Sequence, residues 1–129
     1  MIKTSVIFCG GYGSRLGLIT KDKPKPMVIV NKKPFLEHII LQLKSFGIEK
    51  VYILVGYKQN KIINYFKKNN KGLKIFFNYC PPEKETGFRL NQIKQNIKED
   101  FLLMYSDNYC PVNIKKNLSI FKKNKSLIT

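Results

Sequence analysis

The sequence is short of almost everything from which a protein nucleophile or a metal cage is made. His38 is its only histidine, and Cys9, Cys80 and Cys110 contain no C-x-x-C pair. Neither a zinc site nor a Cys–His or Ser–His catalytic pair is expected. The three cysteines read as reduced, mostly buried thiols. Carboxylates are scarce too, with 8 Asp and Glu against 24 Lys and Arg and a formal net charge of +16. Arginine is rarer still. Arg15 and Arg89 stand among 22 lysines, so each carries more information than any lysine. No apolar run approaches the ~20 residues that cross a bilayer. MIKTSVIFCGG is too short for a signal-peptide core before its double glycine. The expectation is a cytoplasmic protein that does not enter a membrane.

What is present is enough for a core. A chain of 129 residues, 43% hydrophobic, fits one domain over 1–129 and can bury roughly two-thirds of its unfolded surface. The positive charge admits three partners: nucleic acid, an anionic membrane or a phosphorylated small molecule. Lysine occurs here with abundant Asn, Ile, Phe and Tyr, the mixture an A/T-rich genome encodes, so much of it reads as solvated surface. Nucleic-acid binders usually add arginine, no recognised binding motif is present, and aromatics such as Tyr65 and Phe66 fall on helical core spacing. Neither nucleic acid nor membrane is the expected partner.

The chain alternates strand and helix. Thr4–Cys9 reads as a buried strand ended by Gly10 and Gly11. The segment Lys21–Pro26 holds two prolines and is expected to be neither helix nor central strand. Pro34 opens a helix in which Leu36, Ile39, Ile40, Leu43 and Phe46 recur at three-to-four spacing until Gly47. Strands are expected at Val51–Val55, Leu73–Phe77 and Phe101–Tyr105, and helices at Lys58–Lys68, Thr86–Ile97 and Ile114–Lys123. Ser126–Thr129 reads as the start of another strand. Continuous apolar strands between amphipathic helices imply an α/β fold with a parallel sheet covered on both faces. The chain stops abruptly after an apolar triplet and reads either as a short coding unit or as the front part of a larger domain, truncated on its C-terminal side.

Three groups carry chemistry. Gly10-Gly11-Tyr12-Gly13-Ser14-Arg15-Leu16 follows the first strand directly. Three glycines in four positions let a backbone approach a ligand closely and suit phosphate. The dinucleotide fingerprint fails because Leu16 stands where it needs glycine. The ATP-binding P-loop fails because its G-K-[ST] ending is missing. Arg15 and Lys25 come next. A guanidinium offers a planar fork for phosphate oxygens, and an ammonium held between Pro24 and Pro26 offers a point charge. The alternative is a solvated basic loop. Asp107, just past the strand Phe101–Tyr105, lies where ligands bind in open parallel sheets. It can serve as a Mg²⁺ ligand beside phosphates, or simply as an aspartate in good S-D-N turn chemistry.

The order G-G-x-G-x-R-L followed by K-P-K-P-M, with ten residues from Arg15 to Lys25, resembles the sugar-1-phosphate nucleotidyltransferase family. Pro34–Glu37, Gly47-Ile48 and Val55-Gly56-Tyr57-Lys58 are also similar to it, and the resemblance covers nearly the whole chain. It implies a Rossmann-like, mostly parallel sheet with helices on both faces, and an NTP and a sugar 1-phosphate as substrates. It also implies Mg²⁺ as cofactor, a nucleotide-sugar and pyrophosphate as products, and a homo-oligomer as a compatible assembly. Carried over by residue, Gly10, Gly11, Gly13 and Ser14 would hold the nucleotide. Arg15 and Lys25 would act on its phosphates, and Asp107 would bind the metal. Thr86 and Gly87 would lie near base and sugar. Thr86–Leu90 reads T-G-F-R-L, similar to the T-G-G-R-L of cytidylyltransferase members but with Phe88 for the second glycine. Ser106 stands where the family usually has glycine. The family's later strands and second metal-ligating aspartate have no counterpart in these residues. A catalytically incomplete nucleotide-binding module is therefore the alternative, with a basic nucleic-acid-binding protein behind it.

Overall fold

A computed structural model describes residues 1–124 of the chain. The expected strand at Ser126–Thr129 lies outside the described residues. Four strands form one parallel sheet: β1 Thr4–Cys9, β4 Lys50–Val55, β5 Lys74–Tyr79 and β6 Phe101–Tyr105. They lie in the order β5-β4-β1-β6. β1 is central, with Thr4 beside Lys50 on one side and Phe101 on the other. Two further strands, β2 Ile29–Val30 and β3 Lys33–Pro34, make a small antiparallel hairpin.

Alternation along the strands splits the core in two. Ile7, Cys9, Ile53 and Val55 face helices α1 (Phe35–Ser45) and α2 (Gln59–Lys68), where they meet Leu36, Ile40, Ile62 and Phe66. Val6, Phe8 and Leu54 face the other way, toward α3 (Thr86–Gln92) and the turn after it, meeting Leu90, Ile93 and Ile97. Both faces are thus covered, as the alternation of elements implied. Helix α4 (Ile114–Asn124) buries no side chain among the described residues.

Several boundaries differ from expectation. Helix α3 stops at Gln92, because Ile93 leaves helical geometry and bonds back to Leu90 through its N–H. Leu90, Ile93 and Ile97 still reach the core, so a turn satisfies the spacing that suggested a longer helix. β5 begins at Lys74 rather than Leu73 and runs on to Tyr79, because Asn78 and Tyr79 pair with Leu54 and Val55. Lys25–Met27 forms a single 3₁₀ turn that overlaps the end of Lys21–Pro26, the segment whose prolines argued against helix. Pro24 precedes that turn and Pro26 sits in its first positions, where no N–H is needed. The first-turn geometry also explains α1. Pro34 is its N-cap, and the helix begins at Phe35.

Candidate functional site

The C-terminal ends of the strands bring together segments that are far apart in sequence. β1 runs into Gly10, β6 runs into Ser106 and Asp107, and the Ser106 N–H donates to the Phe8 carbonyl at 3.2 Å. Between them lies an open cavity of about 380 Å³. Gly10, Gly11, Gly13, Ser14, Arg15, Lys25, Thr86 and Asp107 all line it. Of the expected site residues, only Gly87 does not.

The glycine loop is shaped by two constraints. Gly13 sits at φ 65°, the left-handed region that disfavours side chains. A Cβ there would also stand 3.0 Å from Cβ of Lys25. Gly10 is glycine for a different reason. A Cβ at this position would lie 1.4 Å from Nη1 of Arg89, so the guanidinium occupies the space of the missing side chain. Gly11 has open space where a side chain would be.

After the loop the chain turns through 3₁₀ geometry over Ser14–Thr20, broken at Gly17 (φ 54°, ψ −121°). The Thr20 hydroxyl closes this segment by donating to the carbonyls of Gly13 at 3.0 Å and Gly17 at 3.2 Å. The Tyr57 hydroxyl donates to the Thr20 carbonyl at 3.1 Å and ties the segment to the chain following β4. Arg15 is exposed within it, and Lys25 is half-buried. Lys25 Nζ donates to Asp107 Oδ2 at 2.9 Å, joining two site residues that lie 82 positions apart. Such an exposed pair is worth roughly 0.2–1 kcal/mol, little enough for a charged ligand to rearrange.

Asp107 is the cavity's candidate metal ligand. Among the described residues no cluster of three His, Cys, Asp or Glu side chains exists that could cage an ion. The carboxylates that line the cavity, Asp107 and Glu85, are the oxygen donors a hard divalent cation takes, with further oxygens from bound phosphates and water. Cys9 also lines the cavity, but burial pushes its thiol up to about 12, against a side-chain hydrogen bond with Ser106 and the nearby Arg89 charge. It stays protonated at neutral pH and is no nucleophile.

Sequence reasoning noted Arg89 for its rarity but gave it no place. The structure buries it to 4% exposure in the cavity wall. Its Nη2 donates to the carbonyls of Gly10, Pro81 and Pro82 at 3.3, 3.1 and 3.0 Å, and Nε donates to Lys84 at 3.1 Å. Its rarity among 22 lysines and its place as the R of T-G-F-R-L were its sequence signals.

A family model described as "Nucleotidyl transferase" matches residues 4–129. The bifunctional protein GlmU of Methanococcus maripaludis strain C7 is 42% identical over 105 residues, which are 80% of this chain and 24% of that protein. The D-glycero-alpha-D-manno-heptose 1-phosphate guanylyltransferase of Campylobacter jejuni is 37% identical over 112 residues, 87% of this chain and 51% of the relative. The crystal structure of HddC from Yersinia pseudotuberculosis superposes with a TM-score of 0.84 at 30% identity, covering 93% of this chain and 54% of that one. The chain thus spans from about a quarter to about half the length of these relatives. The family match takes in residues 4–129, nearly the whole chain, and the chain belongs to the nucleotidyl transferase family.

Proposed function

We propose that this chain forms the nucleotide-binding part of an enzyme that transfers a nucleotidyl group from an NTP to a sugar 1-phosphate. The products are a nucleotide-sugar and pyrophosphate. One observation carries the reading: the glycine loop, Arg15, Lys25 and Asp107 converge on one cavity at the carboxyl ends of the sheet. The relative named as a heptose 1-phosphate guanylyltransferase supports a sugar 1-phosphate as the acceptor.

The chemistry requires no general base from the cavity wall. A phosphate oxygen of the sugar 1-phosphate attacks the α-phosphorus of the NTP, and the bond to the bridging oxygen of pyrophosphate breaks. The attacking oxygen is already anionic, so no side chain must remove a proton. Gly10, Gly11, Gly13 and Ser14 cradle the nucleotide, and Thr86, which lines the cavity where Gly87 does not, stands toward its base and sugar. Arg15 neutralises the triphosphate and the departing pyrophosphate, and Lys25 holds phosphate at the reacting centre. Asp107 would hold Mg²⁺, which when bound supplies charge neutralisation on the phosphates. Catalysis then rests on positioning and on preorganised positive charge.

Pyrophosphate release from NTP plus sugar 1-phosphate tests this. Arg15→Ala is expected to lose ~2–4 kcal/mol of transition-state stabilisation, the range for one preorganised donor. Equal rates in wild type and variant would remove Arg15 from the mechanism. The chain's partial coverage of its relatives favours a second reading, a nucleotide-binding module without turnover of its own. Calorimetry separates the two: nucleotide binding without pyrophosphate release assigns the module, and turnover excludes it.

A further inference from the structure

We propose that Arg89 is a positioning residue that builds the nucleoside end of the cavity by clamping the glycine loop to the Pro81–Lys84 loop. This rests on the nucleotide-binding reading above and deepens it. The two ends of the glycine loop have different company. At Gly13 stand Lys25 and, through it, Asp107, the groups suited to phosphate and metal. At Gly10 stands Arg89, whose Nε and Nη2 are committed to backbone carbonyls. No carboxylate pairs with it among the described residues, so its charge is met by carbonyl dipoles instead. Lys84 and Glu85 also line the cavity and bring opposite charges, so this end lacks the concentrated positive charge of Arg15 and Lys25 and suits the nucleoside part of a nucleotide.

The clamp has a physical reason to exist. Pro81 and Pro82 have no N–H of their own, so they offer the Gly10 carbonyl no backbone donor. A planar guanidinium can bond several carbonyls at once in fixed geometry, which an ammonium cannot. Arg89 also fills the space beside Gly10, so the loop's first glycine and this arginine form one packed unit. Its Nη1 is buried and without an acceptor among the described residues. A buried donor left unpaired is costly, and its retention here fits a residue kept for site geometry rather than for stability.

The test is calorimetric titration of the 129-residue chain, with Mg²⁺ present, by UTP, CTP, GTP and dTTP and separately by inorganic pyrophosphate. Melting curves are recorded for every variant. Wild type is expected to bind at least one NTP. Arg89→Met is expected to weaken that NTP tenfold or more while changing pyrophosphate affinity less than twofold. Arg89→Lys keeps the charge and the buried stem, and it is expected to lose most of the same affinity because the planar fork is gone. If Arg89→Met does not fold, Arg89→Lys carries the comparison. If Arg89→Lys also fails to fold, Arg89 is structural and the positioning role is overturned. NTP and pyrophosphate affinities that fall together, or neither falling, would also make Arg89 merely structural and leave the nucleotide reading intact. A wild-type chain that binds no NTP would overturn the nucleotide reading, and the clamp's role with it.

Discussion

Neighbouring glycines in one loop answer to different physics. Gly10→Ala places a methyl inside the Arg89 guanidinium, where even partial relief must break bonds to the Pro81 and Pro82 carbonyls. The expected cost is about 1–3 kcal/mol, the usual range for overpacking. Gly11→Ala meets nothing within 4 Å and needs no left-handed backbone, so its stability should stay within about 0.5 kcal/mol of wild type. Denaturant melts of the two variants check the contrast, and equal losses would show that Arg89 does not hold the position described. Glu37 is the opposite case, a residue from a family-like motif that serves the fold. It is 1% exposed on α1, accepts a hydrogen bond from the Tyr65 hydroxyl, and lies 3.1 Å from Lys71 Nζ and 3.6 Å from Lys33 Nζ. Burial favours its neutral form, but these partners prevail and hold the carboxyl below its ordinary value. Glu37→Ala should destabilise by about 2 kcal/mol, read from the shift of an equilibrium urea melt.

At the element scale, the amino ends of the sheet are tied by one acid. Glu99, just before β6, accepts from Lys50 Nζ of β4 at 2.9 Å and from the Thr4 hydroxyl of β1 at 2.8 Å. Lys50 first, then Thr4, holds its carboxyl down at about 2, from an ordinary 4.5. A carboxyl depressed by folding stabilises the native state above its unfolded value and loses that contribution as pH falls toward the folded value. Acid unfolding of wild type should therefore gain a Glu99-dependent component between about pH 4.5 and 2 that Glu99→Gln lacks. Superimposable acid titrations would place the sheet's acid sensitivity elsewhere. Element by element, what the sequence revealed follows range of interaction. Thr4–Cys9 and Phe101–Tyr105 were legible to the residue because each apolar run is ended by turn residues, Gly10-Gly11 and Ser106-Asp107-Asn108. The β2–β3 hairpin was not. Its turn places Asn31 and Lys32 at positive φ, and lysine at the second position gives no signal where glycine would. The site's glycines, Arg15, Lys25 and Asp107 were legible as local motifs. The Lys25–Asp107 pair and the Arg89–Gly10 contact were not, since they join residues 82 and 79 positions apart through the sheet.

For the molecule as a whole, two electrostatic effects oppose each other. Ion pairs such as Lys3–Glu49 at 2.6 Å and Lys50–Glu99 at 2.9 Å favour the folded chain, and salt weakens them. The net charge of +16 disfavours the compact state, and salt weakens that too. Exposed pairs are worth roughly 0–1 kcal/mol each, and 24 cations face only 8 anions. Most lysines thus have no carboxylate to lose, and repulsion outweighs attraction. Raising NaCl from about 20 mM to about 500 mM shortens the screening length from roughly 20 Å to a few Å, and the melting temperature is expected to rise. A fall would mean that the ion pairs command the balance. Pyrophosphate at matched ionic strength adds a second distinction. Screening depends only on ionic strength, whereas an anion held by Arg15 and Lys25 stabilises by mass action and saturates. A saturable rise beyond that in NaCl, lost in Arg15→Ala, would assign the excess to the cavity. An identical rise in both salts would leave the positive charge as a property of the surface alone.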